Sequence, residues 1–77
     1  MPHVIVKLYA GRSAQVKAQL ADEMAKAIKT VLKSEDKSIS VAIEDVAPED
    51  WAEKVYKPDI LNKAESLLKK PGYNPFG

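Results

Sequence analysis

The sequence predicts an α/β (α+β) fold built on one β-α-β unit with parallel strands, and three observations predict it. A run rich in β-branched and aromatic residues opens the chain at residues 3–9. A long segment with apolar residues at helical spacing follows, and a second strand-like run covers residues 38–46. Because one long helix separates the two strands, we expect parallel strands joined by a right-handed crossover.

The first half of this unit is expected to be a strand, a turn and a long helix. Val4, Val6 and Leu8 would share one face of the strand, and Gly11 in the following turn is free to take a positive φ. Ser13 is the predicted N-cap of a helix that continues to about Lys33. The apolar stripe of this helix would consist of Val16, Leu20, Met24, Ile28 and Val31.

The second half is expected to contain short C-terminal helices after a loop at residues 34–37 and a strand at residues 38–46. Pro48 is well placed to begin a helical segment, and Pro58 is expected to interrupt it. A last amphipathic helix would then end near Lys70, before an irregular tail. The aromatic residues outside the candidate site are expected to pack or to lie at a subunit interface: Tyr9, Tyr56, Tyr73 and Phe76.

A chain of 77 residues is expected to form one domain, over residues 1–77, and to bury little surface alone. Two parallel strands do not make a stable sheet, so a two-fold partner is expected to extend the sheet to four strands. The sequence therefore predicts a homo-oligomer, a dimer by preference, with a trimer or hexamer left open as alternatives.

Composition excludes several classes of partner. Twelve basic and eleven acidic residues give a net charge of +1, which favours neither nucleic acid nor an anionic membrane. The chain has no cysteine, no apolar stretch of about 20 residues and no basic leader, so a cytoplasmic protein is predicted. It also has no ligand cluster for a structural metal.

The strongest chemical signal is the Met1-Pro2 start of the chain. Removal of Met1 would leave Pro2 as a secondary amine, and desolvation or a nearby cation lowers the pKa of such an amine. A neutral amine can take a proton and return it elsewhere, as general acid–base catalysis requires. Arg12, the only arginine, offers a fork of donors suited to a carboxylate. The alternatives are that the Met1-Pro2 start has no functional role and that Arg12 is a solvent-exposed residue of the turn.

Strand geometry indicates how these two residues could share a site. A rise of about 3.3 Å per residue separates Pro2 from Tyr9 by roughly 23 Å, so Arg12 lies still farther along. Arg12 therefore has to come from an antiparallel partner subunit. The parallel second strand, by contrast, brings the end around Ser40 beside Pro2 of the same chain.

Several of these features resemble the 4-oxalocrotonate tautomerase family: Pro2 opening a strand, the turn Leu8-Tyr9-Ala10-Gly11-Arg12-Ser13, the long helix and the strand from Ser38 to Glu44. The resemblance implies that Pro2 is the general base, that Arg12 binds a substrate carboxylate and that Trp51 walls the pocket. It implies a core over residues 2–51. The C-terminal extension over residues 52–77 resembles that of a longer, dimeric bacterial branch.

One departure from the family bears on substrate. Ser40 stands where the best-studied members carry a second arginine that helps to hold a dicarboxylate. The resemblance thus implies an enol-keto tautomerase (isomerase) for a small 2-hydroxy-enoate or 2-oxo acid, such as an arylpyruvate enol, with no metal or organic cofactor. A same-fold dehalogenase or decarboxylase, and a non-catalytic dimeric module, are the alternatives. His3 is interpreted as a partly buried packing residue, the alternative being that it tunes the pocket.

Overall fold

The computed structural model describes all 77 residues and contains two compact units, Met1–Asp45 and Val46–Gly77. Three elements form the β-α-β unit: strand β1 (His3–Tyr9), helix α1 (Ala14–Leu32) and strand β2 (Ser40–Val46). The two strands pair in parallel in a two-stranded sheet. The predicted fold class is therefore confirmed, whereas the single domain over residues 1–77 stays a prediction.

The amino ends of the two strands lie side by side. The backbone N–H of Ser40 donates to the carbonyl oxygen of Pro2 at 3.2 Å, which sets the register of the pair. β2 begins at Ser40 and not at Ser38, because residues 36–38 form a single 3₁₀ turn. The amide and the hydroxyl of Ser38 donate to the Glu35 carbonyl at 3.0 and 2.8 Å, which stabilises this turn against an extended backbone.

Helix α1 begins and ends close to the predicted residues. The Ser13 hydroxyl accepts a hydrogen bond from the Val16 amide at 3.1 Å, as an N-cap should. The helix ends at Leu32, where Lys33 takes the left-handed conformation with φ 58° and ψ 31°. Near the amino end of α1, the Lys17 ammonium pairs with the Asp45 carboxylate at 2.8 Å. The ion pair ties the first turn of α1 to the far end of β2.

The β-α-β unit of a single chain has a thin core. None of the residues of β1, α1 or β2 is fully buried. The predicted stripe of α1 is half-buried at its centre, but Val16 and Val31 at its ends are 49% and 76% exposed. On β1, Ile5 is 51% exposed. A chain of this length leaves apolar surface that a partner could cover.

The second unit contains a short 3₁₀ turn (Pro48–Asp50), a π-helix (Ala52–Leu61) and another 3₁₀ turn (Ala64–Ser66). Pro48 begins its turn as predicted, but the predicted interruption at Pro58 is wrong, since the π-helix runs through this residue. A proline ring crowds the carbonyl four residues earlier and supplies no N–H. The wider π turn relieves that crowding, and an i→i+5 bond of 3.0 Å from the Asn62 amide to the Lys57 carbonyl closes it.

The predicted amphipathic helix ending near Lys70 is also wrong. Only Ala64–Ser66 is helical there, because Lys63 leaves the helical region with φ −124° and ψ 32°. The Ser66 hydroxyl and amide both donate to the Lys63 carbonyl, at 2.8 and 2.9 Å. Such local bonds from a serine side chain compete with a continuing helix.

The best-packed part of the second unit is aromatic. Val55 and Tyr56 are the two buried residues of the chain, at 4% and 7% exposure. The Tyr56 ring lies 5.4 Å from the Tyr73 ring and 6.0 Å from the Phe76 ring, between centroids. The tail therefore folds back onto the π-helix, in agreement with the packing role predicted for these three aromatic residues.

None of the helices is both long and apolar enough to span a bilayer.

Candidate active site

The structure places Pro2 at the open amino end of the parallel sheet, next to Ser40. Pro2 is half-buried, and its carbonyl accepts the Ser40 amide at 3.2 Å. Met1, which precedes it, is fully exposed at 101%. Two of the four predicted site residues, Pro2 and Ser40, are thus brought together within one chain.

A second contact joins the same two strand ends, and sequence reasoning missed it. The Ser40 hydroxyl lies 2.6 Å from Nδ1 of His3 in a hydrogen bond between the side chains. Both residues are exposed, so the interpretation of His3 as a partly buried packing residue is wrong. The signal was available in the predicted register, which sets residue 3 next to residue 40 when the strands are parallel.

Arg12 lies at the opposite end of β1 from Pro2. Its guanidinium donates from Nη1 to the carbonyl of Tyr9 at 3.2 Å, within the turn that follows the strand. Gly11 makes this turn with a φ of 123°, a conformation that other residues rarely take. Arg12 is exposed, and the seven residues of β1 separate it from Pro2, so one chain does not bring the two together.

Trp51, the fourth predicted residue, belongs to the second unit. It is half-buried, and its indole N–H donates to the phenol oxygen of Tyr73 at 2.8 Å. The Tyr73 backbone carbonyl in turn accepts the Tyr56 hydroxyl at 3.3 Å. The C-terminal tail therefore fixes the orientation of Trp51. The sequence predicted that Tyr73 packs, but it did not predict this hydrogen bond.

The second unit also contains an open cavity of about 170 Å³. None of the four predicted site residues lines it. The lining is mainly apolar and is formed by Tyr56, Ile60, Leu61, Ala64, Leu67, Lys70 and Pro71.

The β-α-β unit, preceded by Pro2 and turning at Gly11-Arg12-Ser13, has the arrangement of the small tautomerases. The family model for tautomerase enzymes matches residues 2–55 of this chain. The chain belongs to this family, and within it to the 4-oxalocrotonate tautomerase family.

Similar proteins support this assignment along almost the whole chain. A probable tautomerase of Xylella fastidiosa is 49% identical over 73 residues, which cover 95% of this chain and 89% of the relative. Tautomerase PptA of Cronobacter sakazakii is 38% identical over 74 residues, which cover 95% of this chain and 97% of the relative. Family membership supports an isomerase that acts as a tautomerase.

A solved structure confirms the fold over about two-thirds of the chain. TomN, a 4-oxalocrotonate tautomerase homologue of the tomaymycin biosynthetic pathway, matches with a TM-score of 0.63 and 32% identity. That match covers 65% of this chain and 77% of TomN. The alignments with the two tautomerase relatives are longer, each covering 95% of this chain.

Proposed function

We propose that this protein is an enol-keto tautomerase of small 2-hydroxy-enoates and 2-oxo acids, with Pro2 as its general base and acid. The neutral Pro2 nitrogen takes the proton of the enol hydroxyl. The resulting prolinium then delivers a proton to the substrate carbon, so the enol becomes the ketone and the amine is regenerated. In the reverse direction the same nitrogen removes the proton from carbon.

The observation that carries this proposal is the placement of Pro2. It is half-buried at the strand end and follows a Met1 that is fully exposed and thus accessible to an aminopeptidase. Once Met1 is removed, the amine begins the chain at the edge of the sheet. Partial desolvation lowers the pKa of an amine, and a cation near the nitrogen lowers it further.

The charges of the proposed site residues favour a substrate with one carboxylate. Ser40, the residue that pairs with Pro2, is neutral, and Arg12 is the only arginine of the chain. We infer that Arg12 anchors that carboxylate, that Ser40 borders the substrate and that Trp51 walls the pocket. A single charged anchor fits an arylpyruvate-like enol better than a dicarboxylate.

We also propose that the active form is a cytoplasmic homodimer with shared sites. Arg12 and Pro2 lie at opposite ends of β1, so the carboxylate anchor of each site has to come from the partner chain. The exposed Ile5 on β1 and Val31 on α1 supply apolar surface for such an interface.

The test is the pH–rate profile for ketonisation of phenylenolpyruvate. Intact mass first establishes that Met1 has been removed. We expect Pro2→Ala to lower kcat/KM roughly 10²-fold or more, the usual contribution of a positioned general base. Pro75→Ala in the exposed tail is the matched control and should keep the wild-type rate. Wild-type activity of Pro2→Ala, or of protein that retains Met1, would rule out the proposed mechanism.

A further inference from the structure

We propose that His3 and Ser40 form a positioning pair that holds the Pro2 nitrogen in place. Their side chains make a hydrogen bond of 2.6 Å across the two strands, one residue from the proposed base. The inference rests on the proposed function, because a fixed nitrogen matters only if Pro2 transfers the proton. The role proposed for His3 is thus to position the Pro2 nitrogen, and not to pack or to bind substrate.

The reason for a positioning pair is that Pro2 becomes a chain terminus. Chain ends are the least ordered parts of a domain unless something ties them down. Once Met1 is gone, no preceding residue restrains the amine, and the backbone bond from the Ser40 amide to the Pro2 carbonyl is a relatively long 3.2 Å. A terminus held by this bond alone would fray readily.

The His3–Ser40 bond supplies a second link between the same strand ends. It uses side chains on adjacent strands, so it closes a ring that includes the backbone bond between Ser40 and Pro2. Opening the strand end then requires two hydrogen bonds to break together. Because proton transfer depends steeply on the position of the base, loss of the second bond should slow the chemical step.

The matched variants are Ser40→Thr and Ser40→Val, which have nearly the same shape and both favour strands. Threonine keeps the hydroxyl and valine replaces it with a methyl group. We expect the valine variant to lower kcat about three- to tenfold with little change in KM, as loss of one hydrogen bond allows. The threonine variant keeps the hydroxyl and should retain more of kcat than the valine variant. Amide exchange at residue 40 should be faster in the valine variant than in the threonine variant.

A second pair of variants tests the same bond from the other side. His3→Asn keeps a polar atom near the place of Nδ1, whereas His3→Leu does not. We expect His3→Asn to retain more of kcat than His3→Leu. If the two residues act only through their mutual bond, the double variant His3→Leu/Ser40→Val should be no slower than the slower single variant.

Three results would overturn the inference. The first is equal kcat and equal exchange in the threonine and valine variants while Pro2→Ala is inactive, which refutes the positioning pair and leaves the proposed function standing. The second is a rise in KM at unchanged kcat, which would limit Ser40 to the substrate contact proposed above and leave it no positioning role. The third is full activity of Pro2→Ala, in which case the proposed function fails and the positioning role fails with it.

Discussion

At the scale of single residues, the hydrogen bond between Trp51 and Tyr73 shows how the C-terminal tail contacts the rest of its unit. The indole N–H donates to the phenol oxygen at 2.8 Å, and the Tyr73 ring packs on the buried Tyr56 at 5.4 Å. A half-buried tryptophan with a fixed partner has fewer orientations than a free one. The tail that follows Lys70 therefore restricts the orientation of Trp51.

Removal of the Tyr73 hydroxyl tests this contact. Tyr73→Phe should keep the ring contact with Tyr56 and lose only the acceptor for Trp51, which should lower the free energy of unfolding by about 0.5–1.5 kcal/mol. Trp51 is the single tryptophan, so its fluorescence reports on its surroundings directly and should change. Tyr56→Phe is the control, because it removes a hydroxyl that bonds to the Tyr73 backbone carbonyl and not to Trp51. Equal emission changes in both variants would contradict the contact.

The part of the candidate site that follows from the order of the strands could be predicted from the sequence. Pro2 was identified from the start of the chain, and its neighbour Ser40 from parallel pairing, and the structure does place these two residues together. The bonds of His3 and Trp51 depend on side-chain orientation at the surface. Periodicity gives the face of a residue but does not give its rotamer, so these partners were missed.

At the scale of elements, the long helix was predicted well and the C-terminal helices were not. Ser13 was correct as the N-cap, and the apolar stripe of α1 was correct at its centre, where Leu20, Met24 and Ile28 are half-buried. Pro58 was read as a helix breaker, because the usual rule considers the α-helix alone. A π-helix accommodates the proline, and it contains the buried Val55 and Tyr56, whose packing the sequence does not reveal.

The C-cap of α1 gives a prediction at this scale. Lys33 takes φ 58°, in the left-handed region that costs a side chain about 1–2 kcal/mol. Lys33→Gly removes this cost but adds chain entropy to the unfolded state, so we expect a net stabilisation of about 0.5–1 kcal/mol. Urea unfolding at fixed protein concentration should show a higher midpoint with an unchanged slope.

The control is Lys29→Gly, in the last helical turn. There glycine replaces a helix former and removes a cation that suits the carboxyl end of the helix dipole, so the unfolding free energy should fall by about 1 kcal/mol. A destabilising Lys33→Gly would mean that the lysine side chain makes a contribution larger than its backbone strain.

At the scale of the whole molecule, incomplete burial and a divided site point in the same direction. The β-α-β unit has no fully buried residue, and its elements expose Ile5, Val31 and Leu32 by half or more. The proposed base and the proposed carboxylate anchor lie at opposite ends of β1. Pairing of two chains could cover the apolar surface and complete the site in one step, so stability and activity should depend on assembly together.

Subunit mixing tests this directly. Pro2→Ala and Arg12→Ala chains are each expected to be nearly inactive alone. In a mixed dimer, one site combines the intact Pro2 of one chain with the intact Arg12 of the other, and the second site has neither. Random assembly of equal amounts makes about half of the dimers mixed, each with one working site of two, so about a quarter of wild-type activity should return. Mixing Pro2→Ala with the double variant Pro2→Ala/Arg12→Ala should restore none. Activity no higher than the mean of the two parents, in a sample shown to contain mixed dimers, would mean that Pro2 of one chain and Arg12 of the other do not form a shared site.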